Sequence, residues 1–241
     1  MFVSFFTHFI YNPIYNALAL FVSWVPGGDV GMAIILITVL VKVILFPLAV
    51  RASHTQLAMR ALEPELRALR EKYKDNSQEL ALKTLALYRE KKVNPFAGFL
   101  VILIQLPVIF GLYWVIWKEK SGVFDASILY SWVTPPDVVS FDFLGLVPIG
   151  VGSLFLAVLT ALTQYYLSKL MMPTAPTSTG KSFQDDLATS MHLQMRYVFP
   201  VLLGVIAYVA TAAIALYFIT SNIFGIIQEL VARERHNEEH A

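Results

Sequence analysis

The stretch Ile34-Ile-Leu-Ile-Thr-Val-Leu-Val-Lys42-Val-Ile-Leu-Phe-Pro47-Leu48 decides the fold class, because it places one basic residue inside an otherwise apolar run. The run extends from Asp29 to Arg51, and Lys42 is the only charged residue between those two ends. A helix needs about 20 mostly apolar residues to cross a bilayer. The run therefore predicts a transmembrane helix. A Lys at bilayer depth costs roughly 2.5–3.5 kcal/mol, so we do not expect Lys42 to face lipid.

The rest of the chain has the same apolar character. Of its 241 residues, 57% are hydrophobic and 15% are charged, and the mean hydropathy is +0.63. A soluble domain is about 45–50% apolar and about 25% charged, so the composition excludes an ordinary soluble enzyme. The net charge of +1 argues against a general nucleic-acid binder. The absence of cysteine excludes a disulfide framework and a thiolate metal site.

Further uncharged runs predict further membrane spans. Residues 93–117, 143–168 and 197–228 contain no Asp, Glu, Lys or Arg. The last run has 32 residues, which is long for one helix and short for two helices of about 30 Å each. A turn near 211–213 would divide it, but no Gly or Pro marks that position. Hydropathy alone therefore leaves four or five spans open.

Lys and Arg residues predict the orientation of these spans. None precedes Lys42, whereas the segment 51–92 holds ten, so we expect that segment in the cytoplasm and the N-terminus outside. The loop 118–142 then lies outside and the linker 169–196 inside. Five spans would place the tail 232–241 in the cytoplasm. The sequence therefore predicts a protein that crosses a membrane several times.

Residues 1–27 form a separate segment. Polar and small residues recur there at three- and four-residue steps from Ser4 to Ser23, and bulky apolar residues fill the other side. This pattern predicts an amphipathic helix in the outer membrane interface, bent at Pro13. The alternative is a cleaved signal peptide or a spanning helix. A signal peptide usually has a basic start and a small-residue cleavage site, and this segment has neither.

The predicted cytoplasmic segment 51–92 has the pattern of a helical hairpin. Residues 74–77 read as its turn, and Asn76 stands three residues before Glu79 with the spacing of a helix-capping box. Two interpretations remain open. The hairpin is either a solvated helical pair with ordinary surface charge, or a docking surface for a ribosome, a targeting factor or a nascent chain.

Lys42 has two interpretations as well. It lies nine residues from Arg51, roughly 13 Å along a helix, so its amine either extends toward the headgroups or enters a wet cavity open to the cytoplasm. No Asp or Glu within a predicted span would neutralise it, and an unpaired cation attracts an anionic visitor. The polar residues that would line such a cavity are Thr38, Gln105, Thr160, Thr163, Gln164, Thr220, Ser221, Asn222 and Gln228.

Catalytic patterns are absent from the sequence. All five histidines fall outside the predicted spans, and no His-Glu-x-x-His metal motif or Gly-rich phosphate loop occurs. We therefore expect no enzyme activity, no bound metal and no cofactor.

The Lys42 run resembles the first core helix of the YidC/Oxa/Alb membrane insertase family. The resemblance covers the chain from Asp29 to Val231, and an ordered series of motifs over about 80 residues carries most of it. After the first helix these motifs are Gln56-Leu-Ala-Met59, Leu62-Glu-Pro64-Glu-Leu66, Glu71-Lys-Tyr73, Leu87-Tyr88, Asn94-Pro95-Phe-Ala-Gly98 and Leu103-Ile-Gln105-Leu-Pro107-Val-Ile-Phe110-Gly-Leu-Tyr113. Weaker similarity continues through Gln164, Met171-Met172-Pro173, Phe199-Pro200 and Ser221-Asn222.

The resemblance implies an all-α integral membrane protein in which residues 28–231 form a five-helix transmembrane bundle around a hydrophilic groove. The groove opens to the cytoplasm and the lipid, and no nucleotide is needed. The acidic tail of a client is attracted by Lys42, while the apolar helix of the client slides past Leu106 and Pro107. The remaining groove residues are Thr38, Gln105, Gln164 and Asn222.

The resemblance also implies partners. These are nascent membrane proteins and the lipid bilayer, with the Sec translocon and the ribosome as further candidates, and no sequence-specific nucleic acid. Two departures bear on this: the groove cation of the family is usually Arg, whereas Lys42 keeps a point charge without the five-donor fork, and the tail lacks a long basic extension. The alternatives from other classes are a small-solute channel or transporter and an assembly partner within a larger complex.

Overall fold

The computed structural model describes residues 2–74, 76–94, 97–118, 124–171, 190 and 193–239, and within its helices the side chains of 2, 3, 54, 56, 57, 60, 97–104 and 234–239 are outside the description. The helices are α1 (Phe2–Phe6), α2 (Asn12–Trp24), α3 (Val30–Ala61), α4 (Glu63–Lys72), α5 (Ser77–Glu90), α6 (Ala97–Lys118), α7 (Leu154–Met171), α8 (Phe199–Ala210) and α9 (Ala212–Glu239). Two two-residue strands, β1 (Asp142–Phe143) and β2 (Val147–Pro148), pair antiparallel in the same part of the chain.

Three helices are long and apolar enough to cross a membrane, counted over the described residues. They contain the segments Val30–Ser53, Leu154–Met171 and Ala212–Arg233. A shorter apolar segment, Gln194–Ala210, joins a π turn to α8, and the predicted second span is helical over 97–118. The all-α integral membrane class is therefore confirmed. A count of five membrane crossings stays a prediction.

The long uncharged run at 197–228 is divided at Thr211. This residue is extended (φ −167°, ψ 158°), and its hydroxyl accepts a hydrogen bond from the Ile214 N–H at 3.4 Å, so it caps α9 without Gly or Pro. Each of the two helices also recruits residues beyond the uncharged run, because a π turn precedes α8 and α9 continues to Glu239. This is why one run of 32 residues contains two helices.

Both π turns stand directly before a proline. Thr7–Tyr11 precedes Pro13, and Gln194–Val198 precedes Pro200. A proline inside a helix lacks an N–H and crowds the carbonyl four residues earlier. The wider π turn relieves this conflict, and in the second turn the Phe199 N–H bonds the Gln194 carbonyl, five residues back. A π turn therefore ends two residues before Pro13, and the bend at Pro13 itself stays a prediction.

Helices α3, α7 and α9 run in the same direction. Along α7 and α9, Thr160 lies beside Ala215 and Leu170 beside Arg233, so these two helices are parallel. Along α3 and α9, Phe46 lies beside Phe224 and Ser53 beside Gln228, so α3 is parallel to them. Helix α8 runs the opposite way, because Gly204 approaches Ala161 whereas the Tyr208 carbonyl lies against Gly152. The absence of a side chain at Gly204 lets the two helices approach closely.

The apolar core lies at one end of the bundle. It joins the first helices to the starts of α3, α7 and α9 and the ends of α6 and α8. Its fully buried side chains include Tyr15, Ile34, Val115 and Ile149, each with 0% exposure. We call this region the sealed end.

Helix α2 is docked on the sealed end. The Tyr15 hydroxyl accepts from the Asp125 N–H at 2.6 Å, and the Asn16 side chain bonds the backbone of Ile128 and Tyr130 at 3.0 and 2.6 Å. Tyr15 and Asn16, in the middle of the polar stripe, therefore face the loop after α6 and are buried, whereas Ser4, His8 and Ser23 are exposed. Placement of residues 1–27 in the membrane interface stays a prediction.

Helices α4 and α5 form a pair with a small core of its own around Leu62, Leu66 and Leu87. The side-chain amide oxygen of Asn76 accepts from the Glu79 N–H at 3.1 Å and caps α5, which confirms the predicted cap. Of the predicted linker 169–196, residues 172–189 and 191–192 lie outside the described residues, as do 240 and 241 of the tail.

Candidate functional site

Lys42 lies on the face of α3 that packs against α9. Steps of four and seven residues return to the same side of a helix, so Thr38, Lys42, Phe46 and Ser53 share one face. On that face the Phe46 ring meets Phe224 of α9 edge-on, with centroids 6.3 Å apart. The Ser53 hydroxyl accepts from the Gln228 amide of α9 at 3.4 Å. Lys42 is partly buried between these contacts and the buried Thr38.

The Lys42 amine has no hydrogen-bond or ion-pair partner among the described residues. The sequence supports this, because the first carboxylate along α9 is Glu229, and α6, α7 and α8 contain none. An amine in this position is stable when water or an anionic group contacts it, since burying an unpaired charge is costly.

Side-chain hydrogen bonds connect α7, α9 and α3 in the part of the bundle away from the sealed end. The Thr163 hydroxyl accepts from the Asn222 amide at 3.2 Å, and the Thr160 hydroxyl contacts the Ala215 carbonyl at 3.4 Å. Polar contacts of this kind hold helices together inside a membrane. We call the buried polar residues of this region the polar seam: Ser53, Thr160, Ser168, Ser221, Asn222 and Glu229.

The chemistry of the buried residues changes along the helices. Among the described residues, no Val, Leu, Ile, Phe or Tyr side chain is buried in α7 beyond Leu156 or in α9 beyond Tyr217. The same holds in α3 beyond Ile37. The buried side chains past these points belong to the polar seam, apart from Thr38, Ala157 and Ala232. The bundle therefore has an apolar end and a polar end, and Lys42 begins the polar end.

The other predicted groove residues divide into two groups. Two of them use their polar atoms on their own helix: the Thr38 hydroxyl donates to the Ile34 carbonyl at 2.6 Å, and the Gln164 amide donates to the Ser168 hydroxyl at 3.3 Å. Asn222 instead crosses from α9 to α7. The Gln105 amide nitrogen is inaccessible to solvent and has no partner among the described groups.

The predicted substrate-contact residues lie on α6. Leu106 is 41% exposed, and Pro107 is half-buried within the helix. Four residues after Leu106, Phe110 is 50% exposed, and the stripe continues through Trp114 and Trp117. The opposite face of the helix carries Leu112 and Val115 into the sealed end. A second exposed apolar stripe on α8 contains Val201, Leu202, Val205 and Val209.

An ion pair at the far end of the polar seam was not predicted from the sequence. Glu229 is 3% exposed and pairs with Arg233 at 3.0 Å, and Arg233 also donates to the Leu170 carbonyl at the end of α7. The i,i+4 spacing of the two charges is a signal that the sequence offered. Glu229 stands one residue beyond the uncharged run 197–228, so a search for charges within that run does not include it.

Known proteins resemble this chain over most of its length. Residues 21–239 match a family model described as 60Kd inner membrane protein. The chain is 33% identical over 222 residues to the membrane protein insertase YidC of Fusobacterium nucleatum, which covers 90% of this chain and 95% of that protein. It is 32% identical over 231 residues to the protein of the same name from Oceanobacillus iheyensis, covering 90% and 83%. The corresponding protein of Clostridium tetani is 29% identical over 219 residues, covering 90% and 87%.

Proposed function

The chain belongs to the 60Kd inner membrane protein family, which includes the YidC membrane protein insertases, and from this membership we propose that it inserts newly made proteins into the bacterial plasma membrane. It is a multi-pass bacterial membrane protein. Its clients are nascent membrane proteins and its environment is the lipid bilayer. The client is inserted and assisted in folding by this chain alone or together with the Sec translocon.

The polar end of the bundle is the proposed hydrophilic groove. The groove lies between α3, α7 and α9. Lys42 lies where the groove meets the sealed end, and the groove opens toward the opposite end of the bundle, which holds Arg51 and Arg233. The change from apolar to polar buried residues supports this assignment, because a groove closed on one side needs a sealed end. A short polar tail that enters it crosses only the remaining, apolar part of the membrane.

Lys42 is the proposed contact for acidic groups of that tail. Moving one Asp to the centre of a bilayer costs roughly 2.5–3.5 kcal/mol, whereas each central Leu, Ile, Phe or Val of the client helix gains roughly 0.3–0.6 kcal/mol. A client with one or two carboxylates in its tail is therefore stable in the membrane once inserted. Its insertion meets a free-energy barrier, because the carboxylates must pass the centre of the bilayer. The groove lowers the barrier with water and an unpaired cation, and burial of the client helix drives the net step.

The client helix is proposed to leave along the exposed apolar stripes of α6 and α8. Leu106 and Pro107 belong to the first of these faces by resemblance to the family, and the exposure of Leu106 and Phe110 supports contact with a client or with lipid. Val201 and Val205 offer a similar apolar surface on α8. An apolar client helix that leaves these stripes for lipid exchanges apolar side chains for acyl chains, which costs little free energy. It therefore moves into lipid without a strong binding step.

The proposed orientation places the N-terminus outside and the C-terminus in the cytoplasm. The segment 51–92 holds ten Lys and Arg residues, which favours the cytoplasmic side. The α4–α5 hairpin then lies at the mouth of the groove, where it is the proposed contact for a ribosome or a nascent chain. The sealed end lies outside, where its apolar core argues against the alternative of a solute channel.

The single observation that carries the proposal is the unpaired Lys42 amine at the start of the polar seam. Vesicles with the reconstituted protein and a single-span client with an acidic translocated tail test it. We expect Lys42→Ala to reduce insertion roughly fivefold or more, because even about 1 kcal/mol of lost attraction slows a step that much. Lys42→Arg should insert normally, and so should Lys118→Ala, which removes an exposed cation from the sealed end.

Equal insertion by wild type and Lys42→Ala would remove the proposed role of the charge. A client with a neutral tail separates charge from water: its insertion should respond little to Lys42→Ala. Flux of small solutes through vesicles with this protein alone would instead favour the channel alternative.

A further inference from the structure

A second cation lies in an apolar and aromatic setting outside the groove. Arg196 is the third residue of the π turn Gln194–Val198, and its guanidinium carbon lies 5.8 Å from the centre of the Tyr197 ring. The Nε atom is inaccessible to solvent and has no hydrogen-bond partner among the described residues. Because Arg196 is partly exposed while its Nε atom is enclosed, a ligand would reach the terminal amino groups of the guanidinium, and a cation without a described acceptor favours an anionic ligand.

Two further groups surround Arg196. The Tyr197 ring lies 5.8 Å from the ring of Tyr165 on α7, measured between centroids. Lys169 is exposed and stands four residues after Tyr165, hence on the same face of α7. The π turn before α8 and the last two turns of α7 therefore present two cations and two tyrosine rings to one side. We call Tyr165, Lys169, Arg196 and Tyr197 the basic aromatic cluster.

The cluster lies at the level where the bundle ends. Helices α7 and α8 are antiparallel, and the Tyr165–Tyr197 contact sets Arg196 beside the last turn of α7. Arg233 bonds the Leu170 carbonyl in that same turn. Basic residues gathered at one end of a membrane bundle mark a headgroup region, where Lys and Arg meet lipid phosphates.

The described protein does not neutralise the cluster. Helix α7 and the segment 193–210 contain no Asp or Glu, whereas the neighbouring Arg233 is paired with Glu229. The π turn of Arg196 and the residue before it expose apolar side chains: Leu193 is 48% exposed, Met195 44% and Val198 58%. A ligand for this place has a negative head beside a long apolar part.

We propose that the basic aromatic cluster binds the headgroup of an anionic phospholipid. The Arg196 guanidinium and the Lys169 amine contact the phosphate, the tyrosine hydroxyls donate to its oxygens, and the acyl chains run along the apolar surface at Leu193, Met195 and Val198. A guanidinium offers paired N–H donors that match phosphate oxygens. The site lies on the lipid-facing side of α7 and α8, and its occupation does not depend on insertion activity.

Native mass spectrometry of the purified full chain tests the site with phosphatidylglycerol and phosphatidylcholine as probes. The wild type should retain phosphatidylglycerol in preference to phosphatidylcholine. Arg196→Gln should bind phosphatidylglycerol roughly fivefold more weakly, since one basic residue near a membrane surface contributes about that factor. Lys169→Gln should show a similar loss, and Arg196→Lys should keep most of the preference because the charge remains.

Lys118→Gln is the matched control. Lys118 also lies over a tyrosine ring, 4.9 Å from the centre of Tyr11, but at the sealed end of the bundle, so its replacement should leave this lipid binding unchanged. Unchanged binding in both Arg196→Gln and Lys169→Gln would overturn the proposal. A wild type without a preference for phosphatidylglycerol would overturn it as well. The double variant Asp185→Asn, Asp186→Asn, at two acidic residues outside the described part of the chain, would then show by a gain of preference that these carboxylates compete with the lipid.

Discussion

The two ends of the bundle are built from different interactions. At the sealed end, large side chains such as Tyr15, Ile34 and Ile149 are fully buried, and backbone hydrogen bonds from the loops tie the helices together. At the polar end, the buried side chains are small or polar and the helices meet through single hydrogen bonds. Inside a membrane, van der Waals contacts between well-packed side chains drive helix association, so most of the packing energy lies at the sealed end, where the large side chains interlock.

The two ends therefore have different roles: the sealed end supplies stability, and the polar end exchanges water and peptide. A core of interlocked side chains has one arrangement and excludes water. A polar interior with few large side chains can admit water or a peptide without unpacking a core. In the proposed mechanism the sealed end holds the helices in place, so that the polar end can bind and release the polar tail of a client. Substitutions at the two ends should therefore have different effects on unfolding and on insertion.

Tyr15→Ala should have the largest effect on stability. Tyr15 is 0% exposed, and its hydroxyl accepts from the Asp125 N–H, so the change leaves a cavity and a backbone donor without a partner. The expected loss is about 3–5 kcal/mol in the free energy of unfolding. Thermal unfolding in lipid nanodiscs measures it. Tyr166→Ala, which removes a 48% exposed ring, is the matched control and should change little. Equal effects of the two substitutions would contradict the sealed-end assignment.

Asp29→Ala should have the next largest effect. The Asp29 carboxylate accepts from the Met32 N–H at 3.0 Å and from the Leu144 N–H at 2.7 Å, and so caps α3 and ties it to the turn after β1. Losing both bonds should cost about 1–3 kcal/mol. Asp29→Asn should cost less, because one acceptor oxygen remains. Asp142→Ala is the control, since that side chain is exposed. A denaturation series that ranks Asp142→Ala with Asp29→Ala would be incompatible with this role.

Asn76→Ala tests a part of the molecule outside both ends. The substitution removes the cap of α5 and should destabilise the hairpin by about 1 kcal/mol. Hydrogen exchange of the α5 amides should rise, while exchange in α7 and α9 stays unchanged. The neighbouring Gln78→Ala alters an exposed residue without a capping role and serves as the control. Faster exchange throughout the bundle would show that the hairpin is not an independent unit.

Asn222→Leu should have the smallest effect on stability and a larger effect on insertion. The hydrogen bond from Asn222 to Thr163 contributes about 0.6 kcal/mol, as such bonds between membrane helices do on average. A leucine there would make the polar end more apolar and should slow clients with charged tails. Asn222→Gln is the control that keeps an amide. Stability and insertion assays on the same preparations separate the two effects. A large loss of stability with normal insertion would reverse the proposed division between the ends.

The sequence predicted long apolar helices because charge gaps and helix length are local properties, and three helices among the described residues are long and apolar enough to cross a membrane. Lys42 in its apolar run and the Asn76 cap could both be found by reading a few neighbouring residues. The division at Thr211 was harder to place, because both helices draw on residues outside the uncharged run. A hydroxyl replaced the expected Gly or Pro as the helix-starting signal.

Contacts between residues far apart along the chain could not be predicted from the sequence. The N-terminal stripe was recognised as polar, but its periodicity could not reveal that Asn16 satisfies backbone groups of Ile128 and Tyr130, more than 100 residues away. The pairing of Asn222 with Thr163 likewise depends on how α9 packs on α7. Residue types predicted which side chains were polar, and only packing determined their partners.

Access of water to position 42 is the measurement that tests the central claim most directly. The chain contains no cysteine, so single variants report one position each. Lys42→Cys should react with a membrane-impermeant thiol reagent added from the hairpin side. Ile44→Cys, at a residue 64% exposed on the outer surface of α3, and Ile34→Cys, in the sealed end, should stay unlabelled from either side. Protection of Lys42→Cys from both sides, or labelling only from the opposite side, would contradict a groove that opens toward the hairpin.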